Sequence, residues 1–361
     1  TVEMLKQRPA GDKSWPVACS GTALGGADKE LDLSGAHLSY GDFKEATFTG
    51  MGAIRLNGAG LAHADLSGSN FSAVGGEAQT IDAIVDFRAA NLTNANLRAS
   101  RLTSKSSTKG NATIDFTEAD LAHADLSGST LTADSSYGGE AAIVFSGANL
   151  AHADLSGSKL SAKALHSVGE VTIDFREANL ARADLSGSIL SVENSYGGAT
   201  IDFRQANLAE ADLSGSVLMA EGSYGDATID FREANLAYAN LSRSVLTTNS
   251  SLGSYGEATI DFSEADLANA DLSGSRLTAD GANGHATINF TEANLVSGDL
   301  SGSRLTAERQ EAEGKDGDAI IVFTEANLTN SDLSGSRFTT SSLDGESIID
   351  FSKANLANAD L

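Results

Sequence analysis

Large apolar residues recur at every fifth position along most of this chain. Phe203, Leu208, Leu213 and Leu218 form one run of four, and a new run starts at Phe231. Helices bury residues with a period of about 3.6 and strands with a period of about 2, so neither keeps every fifth residue inside. A chain that turns a corner after every five residues does so, with one large side chain pointing inward from each side. The pattern therefore predicts a tube with four five-residue sides in each turn.

The runs restart at regular intervals along the chain. The regular restarts are Phe87, Phe116, Phe145, Phe175, Phe203, Phe231, Phe262, Phe290, Phe323 and Phe351. Successive restarts lie 28 to 33 residues apart, which leaves 8 to 13 residues beyond the twenty of the four sides. Small residues alternate on both flanks of this surplus, for example at Ala220 and Ala227. We expect two strands that run past one fixed corner, so that every turn carries a protruding loop there.

The first thirty residues do not follow the five-residue pattern, and they contain both prolines, the single Trp and the single Cys. We expect residues 1–30 to form a non-repeat N-terminal cap or arm. Residues 31–361 are expected to form a single all-β solenoid of about 12 turns, stacked at about 4.8 Å, with an incomplete last turn.

The repeated text includes "ANLAR ADLSG" at residues 178–187 and "ANLAE ADLSG" at residues 206–215. These units resemble the pentapeptide repeat family, whose unit is A-(D/N)-L-x-x, and the resemblance covers residues 31–361. It implies a right-handed quadrilateral β-helix. Uninterrupted members of that family use 20 residues per turn, so the longer turns of this chain are a departure. The resemblance also implies a possible role on DNA gyrase, which some members inhibit or protect.

The charge balance is strongly acidic. Lys and Arg number 24 and Asp and Glu number 49, which gives a net charge of −25. Such a charge repels nucleic acid and anionic lipid, so we expect neither direct nucleic-acid binding nor membrane insertion. No apolar run approaches the roughly 20 residues of a membrane span, so we expect a soluble protein. The start at Thr1 slightly favours a processed or trimmed chain, exported or in an organelle lumen, and the sequence indicates no particular compartment.

Two sets of residues are candidate metal ligands. Asp154, Asp184 and Asp212 share one position on successive turns, where they either bond nearby backbone at the corners or recruit Ca²⁺. The corner interpretation is favoured, because Asn96 and Asn240 interrupt the Asp column. His123 and His152 lie on adjacent turns and are close enough to share a metal, although the same column continues with unrelated residues and favours solvated side chains. We therefore expect no metal and no cofactor.

Three further sets are candidate interaction surfaces. Thr200, Thr228 and Thr259 form a column of the kind that makes an ice-binding plane in some β-solenoids, although β-branched hydroxyl residues also suit ordinary exposed strands. The charged Asp174, Asp202 and Asp230 weaken the ice-binding hypothesis. The other two sets are an expected aromatic ridge at the loop tips and the apolar residues of the last turn, namely Tyr196, Tyr224 and Tyr255, then Leu356 and Leu361.

The sequence contains no nucleotide-binding loop, zinc-ligand spacing or nucleophile elbow, and Cys19 has no recognisable partner base, so we expect no enzyme. The leading hypothesis is a structural solenoid that associates with a partner protein or with itself, head to tail through the uncapped last turn. One alternative is an acidic DNA mimic acting on an enzyme such as gyrase. Twelve turns give a rod of about 58 Å, or one net charge per roughly 2.3 Å, against about 1.7 Å for duplex DNA. The other alternative is a solenoid that binds ice or another surface through its Ser/Thr columns.

Overall fold

The structure is a computed structural model, and it describes residues 2–7, 17–26, 28–76, 81–107, 109–251, 256–282, 284–309 and 317–361. The chain divides into two compact units, which we call unit 1 (Thr1–Asn179) and unit 2 (Leu180–Leu361). In the part of the chain that the structure describes, no helix has the length and apolar character that a membrane span requires.

Unit 1 begins with a short helix and continues with two parallel sheets. Its elements are α1 Val2–Lys6, β1 Ala23–Gly26, β2 Leu31–Asp32, β3 Thr47–Met51, β4 Ala53–Arg55, β5 Asn70–Val74, β6 Ala83–Asp86, β7 Arg101–Ser106, β8 Ala112–Asp115, β9 Thr130–Ser135, β10 Ala141–Val144, β11 Lys159–Ala164 and β12 Val171–Asp174. The odd strands β1 to β11 pair in order within one sheet, and the even strands β2 to β12 pair within the other. Each odd strand is followed along the chain by an even strand, so one strand of each sheet belongs to each turn.

Unit 2 repeats this arrangement with strands of more uniform length. Its elements are β13 Ile189–Asn194, β14 Ala199–Asp202, β15 Val217–Gly222, β16 Ala227–Asp230, β17 Val245–Ser250, β18 Ala258–Asp261, β19 Arg276–Gly281, β20 Ala286–Asn289, β21 Arg304–Arg309, β22 Ala319–Val322, β23 Arg337–Ser342 and β24 Ser347–Asp350. The odd strands β13 to β23 pair in order in one sheet, and the even strands β14 to β24 pair in the other.

The predicted β-helix is confirmed: the fold is an all-β parallel solenoid of about 10 turns, slightly fewer than the 12 predicted. The first strand pairs are the least regular, because β2 has only two residues and β4 only three. Each side of a turn bonds the matching side of the next turn. The backbone N–H groups of Phe231, Leu236 and Leu241 donate to carbonyl oxygens one turn on, at 2.7, 2.7 and 2.6 Å.

The core of each unit is a ladder of large apolar side chains. In unit 1 the rings of Phe87 and Phe116 stack with centroids 4.8 Å apart, and in unit 2 those of Phe203 and Phe231 do the same. These four rings are fully buried. The spacing equals the distance between neighbouring strands of a sheet, about 4.8 Å, so each phenylalanine occupies one turn of the interior.

The corners place ordinary residues in the left-handed backbone region. Glu233, Tyr238 and Arg243 follow the three inward residues of one turn and have φ angles of 57°, 60° and 56°. A non-glycine residue in this region is uncommon. Here the backbone bonds between turns hold each of these corners in place, and the corner side chains extend outward. These corners therefore form exposed columns that the interior does not constrain.

At the fourth corner the two strands of each turn extend past the tube, as the alternation of small residues predicts. Ala220 on β15 and Ala227 on β16 are fully buried between the two sheets. Gly222 lies where the strands converge, and a Cβ atom there would come within 2.6 Å of the Asp226 carbonyl oxygen. Only small residues fit this narrow extension.

Candidate functional site

The Asp column of side three is used to hold the corners. The Oδ1 atoms of Asp154 and Asp212 accept hydrogen bonds from backbone N–H groups two residues on, at 2.9 and 2.8 Å. Asp184 does the same to Ser186 at 2.8 Å. The Asn column of side two adds amide bonds between turns, for example from Asn179 to Asn149 at 3.1 Å. The structure thus shows the corner bonding that one of the two interpretations requires.

The predicted histidine pair is exposed and stacked. The rings of His123 and His152 lie 4.8 Å apart and within 8° of parallel, and both residues occupy left-handed corners. Among the residues that the structure describes, no three His, Cys, Asp or Glu side chains form a group that could hold a metal ion. Calcium and a shared histidine metal therefore stay predictions without a formed site.

The aromatic ridge is observed where the structure describes it. Tyr196 and Tyr224 stack with ring centroids 5.2 Å apart and are 46% and 51% exposed. Tyr255 lies outside the described residues. In the last turn, Leu356 is half-buried and Leu361 is 76% exposed.

The predicted threonine column is in register, since Thr200 pairs with Thr228 and Thr228 with Thr259. All three are half-buried. The column ends where Ile320 takes the corresponding place on β22.

The aspartates beside this column have a role that the sequence did not reveal. Asp230 is 3% exposed, and its carboxylate accepts bonds from the Arg232 guanidinium, with Nε at 3.0 Å. Arg204 approaches the same carboxylate from the preceding turn at 3.5 Å, and Arg232 reaches Asp261 on the next turn at 3.6 Å. These side chains form an ion-pair ladder that joins consecutive turns. The recurring Asp-Phe-Arg triplet was the available signal, and it also occurs at Asp86, Asp174 and Asp202.

Cys19 is an unfavourable nucleophile. Burial is the main cause that raises the pKa of its thiol. A raised pKa favours the neutral thiol, whereas the reactive species is the thiolate.

The outer face of the odd strands in unit 2, which we call the unit 2 outer face, carries side chains in three columns. Its first column is Ile189, Val217, Val245, Arg276, Arg304 and Arg337. Its middle column is Ser191, Met219, Thr247, Thr278, Thr306 and Thr339. Its third column is Glu193, Glu221, Asn249, Asp280, Glu308 and Ser341. The positive and negative charges are therefore separated into different columns.

Comparison with protein families agrees with this geometry. The family model described as pentapeptide repeats matches with eight copies, at residues 143–162, 260–279 and 321–345. The matched segments carry the five-residue sides seen in both units. The chain belongs to the pentapeptide repeat family.

Solved pentapeptide repeat proteins show low similarity to this one. HetL, from the cyanobacterium Nostoc sp. strain PCC 7120 and involved in heterocyst differentiation regulation, is 19% identical, with 90% of each chain covered and a TM-score of 0.24. Full-length QnrB1, a plasmid-mediated fluoroquinolone resistance protein, is 15% identical, covering 89% of this chain and 93% of its own, with a TM-score of 0.16. A thylakoid-lumen protein of Arabidopsis thaliana is 17% identical, covering 52% and 66%, with a TM-score of 0.14. Such scores carry no argument about function, and no curated protein sequence matches this pentapeptide repeat protein.

Proposed function

We propose that this pentapeptide repeat protein is a non-enzymatic structural solenoid that associates with proteins through its flat outer faces. The observation that carries this proposal is the unit 2 outer face. There, Arg276, Arg304 and Arg337 are exposed on successive strands, and none forms an ion pair with any described residue.

Most other arginines of unit 2 contribute to the fold. Arg182 pairs with Glu210 at 2.8 Å, and Arg204 and Arg232 belong to the ion-pair ladder. Conserving a column of unpaired cations has no benefit for folding, because like charges about 4.8 Å apart repel by about 0.9 kcal/mol in water. An association surface gives such a column a use.

The backbone supports a surface of this kind. Each strand of the face is hydrogen-bonded to its neighbours, so the outward side chains stand at fixed intervals on a rigid base. Arg276, Arg304 and Arg337 are direct partners in register. A rigid face loses less conformational entropy on binding than a mobile loop does.

Photocrosslinking tests the proposal. A photoreactive amino acid is introduced in place of Thr278 or Thr306 on the face, and in place of Asn269 at a corner as the matched control. We expect discrete protein adducts from the two face positions, with either another copy of the chain or a different protein. Absence of adducts at both face positions, or equal labelling from Asn269, would contradict it.

End-to-end association through Leu356 and Leu361 is a further part of this proposal. It predicts that Leu356→Asp lowers the fraction of head-to-tail oligomers without changing association through the unit 2 outer face. Light scattering at several protein concentrations measures that fraction.

A second candidate function is an acidic surface that competes with DNA for a DNA-binding enzyme. The observation that favours it is a column of exposed corner carboxylates on consecutive turns, Glu233, Glu264, Glu292 and Glu325. Inhibition of gyrase supercoiling by micromolar protein, lost when Glu264 and Glu292 become Gln, would support it. No inhibition at that concentration would dismiss it.

A further inference from the structure

The unit 2 outer face has a fixed order of side chains along each strand. On β19, Arg276, Thr278 and Asp280 point outward, alternating with the buried Leu277 and Ala279. Outward residues four positions apart on a strand are separated by about 13 Å. Arg276 therefore cannot reach Asp280 within one copy.

The neighbouring strand repeats this order in register. On β21, Arg304, Thr306 and Glu308 lie beside Arg276, Thr278 and Asp280, respectively. We call Arg276, Arg304 and Arg337 the arginine column, and Asp280 and Glu308 the acidic column. The threonine column between them separates the two charges by the same distance on both strands.

Self-complementarity follows from this order. A two-fold axis that lies in the plane of the face and runs parallel to the solenoid axis reverses the strand direction and keeps the order of turns. It places the arginine column of one copy opposite the acidic column of the other, and the threonine column opposite itself. Resting on the proposed role of the outer faces in association, we propose that the unit 2 outer face binds the same face of a second copy in this orientation.

The other symmetric arrangement is unfavourable. A two-fold axis along the strands keeps the strand direction, so the arginine column would face the arginine column of the second copy. Like charges across an interface oppose association. The charge order therefore selects parallel solenoids rather than antiparallel ones.

A polyanion is a poorer occupant than a second copy. It would bind the arginine column but would meet the acidic column on the same strands. The net charge of −25 adds a general repulsion. A partner that presents acids opposite the arginines and arginines opposite the acids avoids both penalties, and a second copy presents that order.

The state of the acidic column agrees with this arrangement. Burial, and then the charge of Glu308, raise the pKa of Asp280. An arginine brought by a second copy would favour the ionised carboxylate and lower that pKa.

The size of the face predicts a weak dimer. Six strands at about 4.8 Å and six residues at about 3.3 Å give a face of about 29 by 20 Å. Two such faces bury about 1,100 Å², at the low end for specific interfaces. In the first three turns the column holds Ile189, Val217 and Val245 against polar residues of the second copy, which adds little. We expect a dissociation constant of roughly 10–100 μM.

Charge reversal in the full-length chain tests the inference. Sedimentation equilibrium in low salt should show a dimer for the wild type, weakened by salt. The variants R276E/R304E and D280R/E308R should each bind themselves about 100-fold more weakly, because attraction becomes repulsion. A mixture of the two variants should form a heterodimer, and the chain that carries all four changes should dimerise as the wild type does.

The control variant R182E/K353E changes the same net charge at corners away from the face, and it should dimerise normally. A wild type that stays monomeric at millimolar concentration overturns the inference. So does a dimer that both reversal variants retain, or one that mixing fails to restore. In the last two cases the proposed association function stands through another surface, whereas adducts at neither Thr278 nor Thr306 in the crosslinking experiment would remove that function itself.

Discussion

The outer faces of the odd strands differ between the two units, although the interiors are the same. In unit 1 the column that corresponds to the acidic column contains Lys105, Asp134 and Lys163, and Lys105 pairs with Asp134 at 3.6 Å. Opposite charges thus alternate within one column and neutralise each other inside the copy. In unit 2, Asp280 and Glu308 are adjacent and the cations form a separate column.

This difference separates the requirements of the fold from those of association. The phenylalanine ladders have the same 4.8 Å spacing in both units, since the tube cannot form without it. The outward positions are free to vary, because their side chains leave the backbone bonds unchanged. A sign-alternating column suits a surface that stays in solvent, and a sign-separated one suits a surface with a partner.

The largest expected effect tests the equality of the interiors. Phe116→Ala in unit 1 and Phe231→Ala in unit 2 each remove a fully buried ring from a stack. We expect each to lower the free energy of unfolding by about 3–5 kcal/mol, through lost burial and the cavity left behind. Urea denaturation measures both. A loss below 1 kcal/mol in either unit would contradict the equivalence of the two ladders.

The next effect concerns the ion-pair ladders. Asp230→Ala removes a buried carboxylate that binds Arg204 and Arg232, and Asp86→Ala removes the one that binds Arg88 at 2.7 Å. We expect a loss of about 2 kcal/mol in each case, less than for a fully buried pair, because the arginines are partly exposed and can be hydrated. Thermal unfolding of both variants checks this. Asp212→Ala serves as a control for loss of a corner carboxylate without an arginine.

The five-residue spacing was enough to predict the fold, because few other structures keep Phe203, Leu208 and Leu213 inside together. The corner bonding of Asp212 was also predictable, since Asp and Asn commonly bond backbone two residues on. The burial of Asp230 was not, because it depends on two arginines from different turns closing over the carboxylate. The sign-separated columns were hidden too, because their register depends on where loops of unequal length bring each strand back.

The pH dependence of association is a smaller effect. Asp280 has Asn249 and Glu308 as its neighbours in register, and its raised pKa means that it binds protons more readily than an ordinary aspartate. As the pH falls through that pKa, the carboxylate becomes neutral and loses its attraction for Arg276 of the second copy. We expect dimerisation to weaken about tenfold between pH 7 and pH 4, or roughly 1.4 kcal/mol. Asp280→Asn should remove most of this dependence in sedimentation measurements, and an unchanged profile in that variant would count against the interface.

The smallest effect lies at the start of unit 1. Lys6 of α1 donates to Asp32 at 2.6 Å, and this bond is the main cause that lowers the pKa of Asp32 to about 2. A depressed pKa stabilises the fold above the ordinary value near 3.8, and that stabilisation is lost as the pH falls through about 2. Because the pair is exposed, we expect only a few tenths of a kcal/mol. In Lys6→Met the NMR-measured pKa should rise but stay below the ordinary value, since Ser34 still donates to Asp32.

Chemical crosslinking across the proposed two-fold axis tests the central comparison most directly. With Cys19→Ser as background, Thr306→Cys places a thiol in the middle column of unit 2, opposite its own symmetry mate, and Thr132→Cys places one in the matching column of unit 1. Packed sheets lie about 10 Å apart, which a short bismaleimide spans. We predict a covalent dimer from Thr306→Cys in low salt and little or none from Thr132→Cys. Equal crosslinking of the two variants, or crosslinking of Thr132→Cys alone, would contradict the claim that the unit 2 outer face is the one built for a second copy.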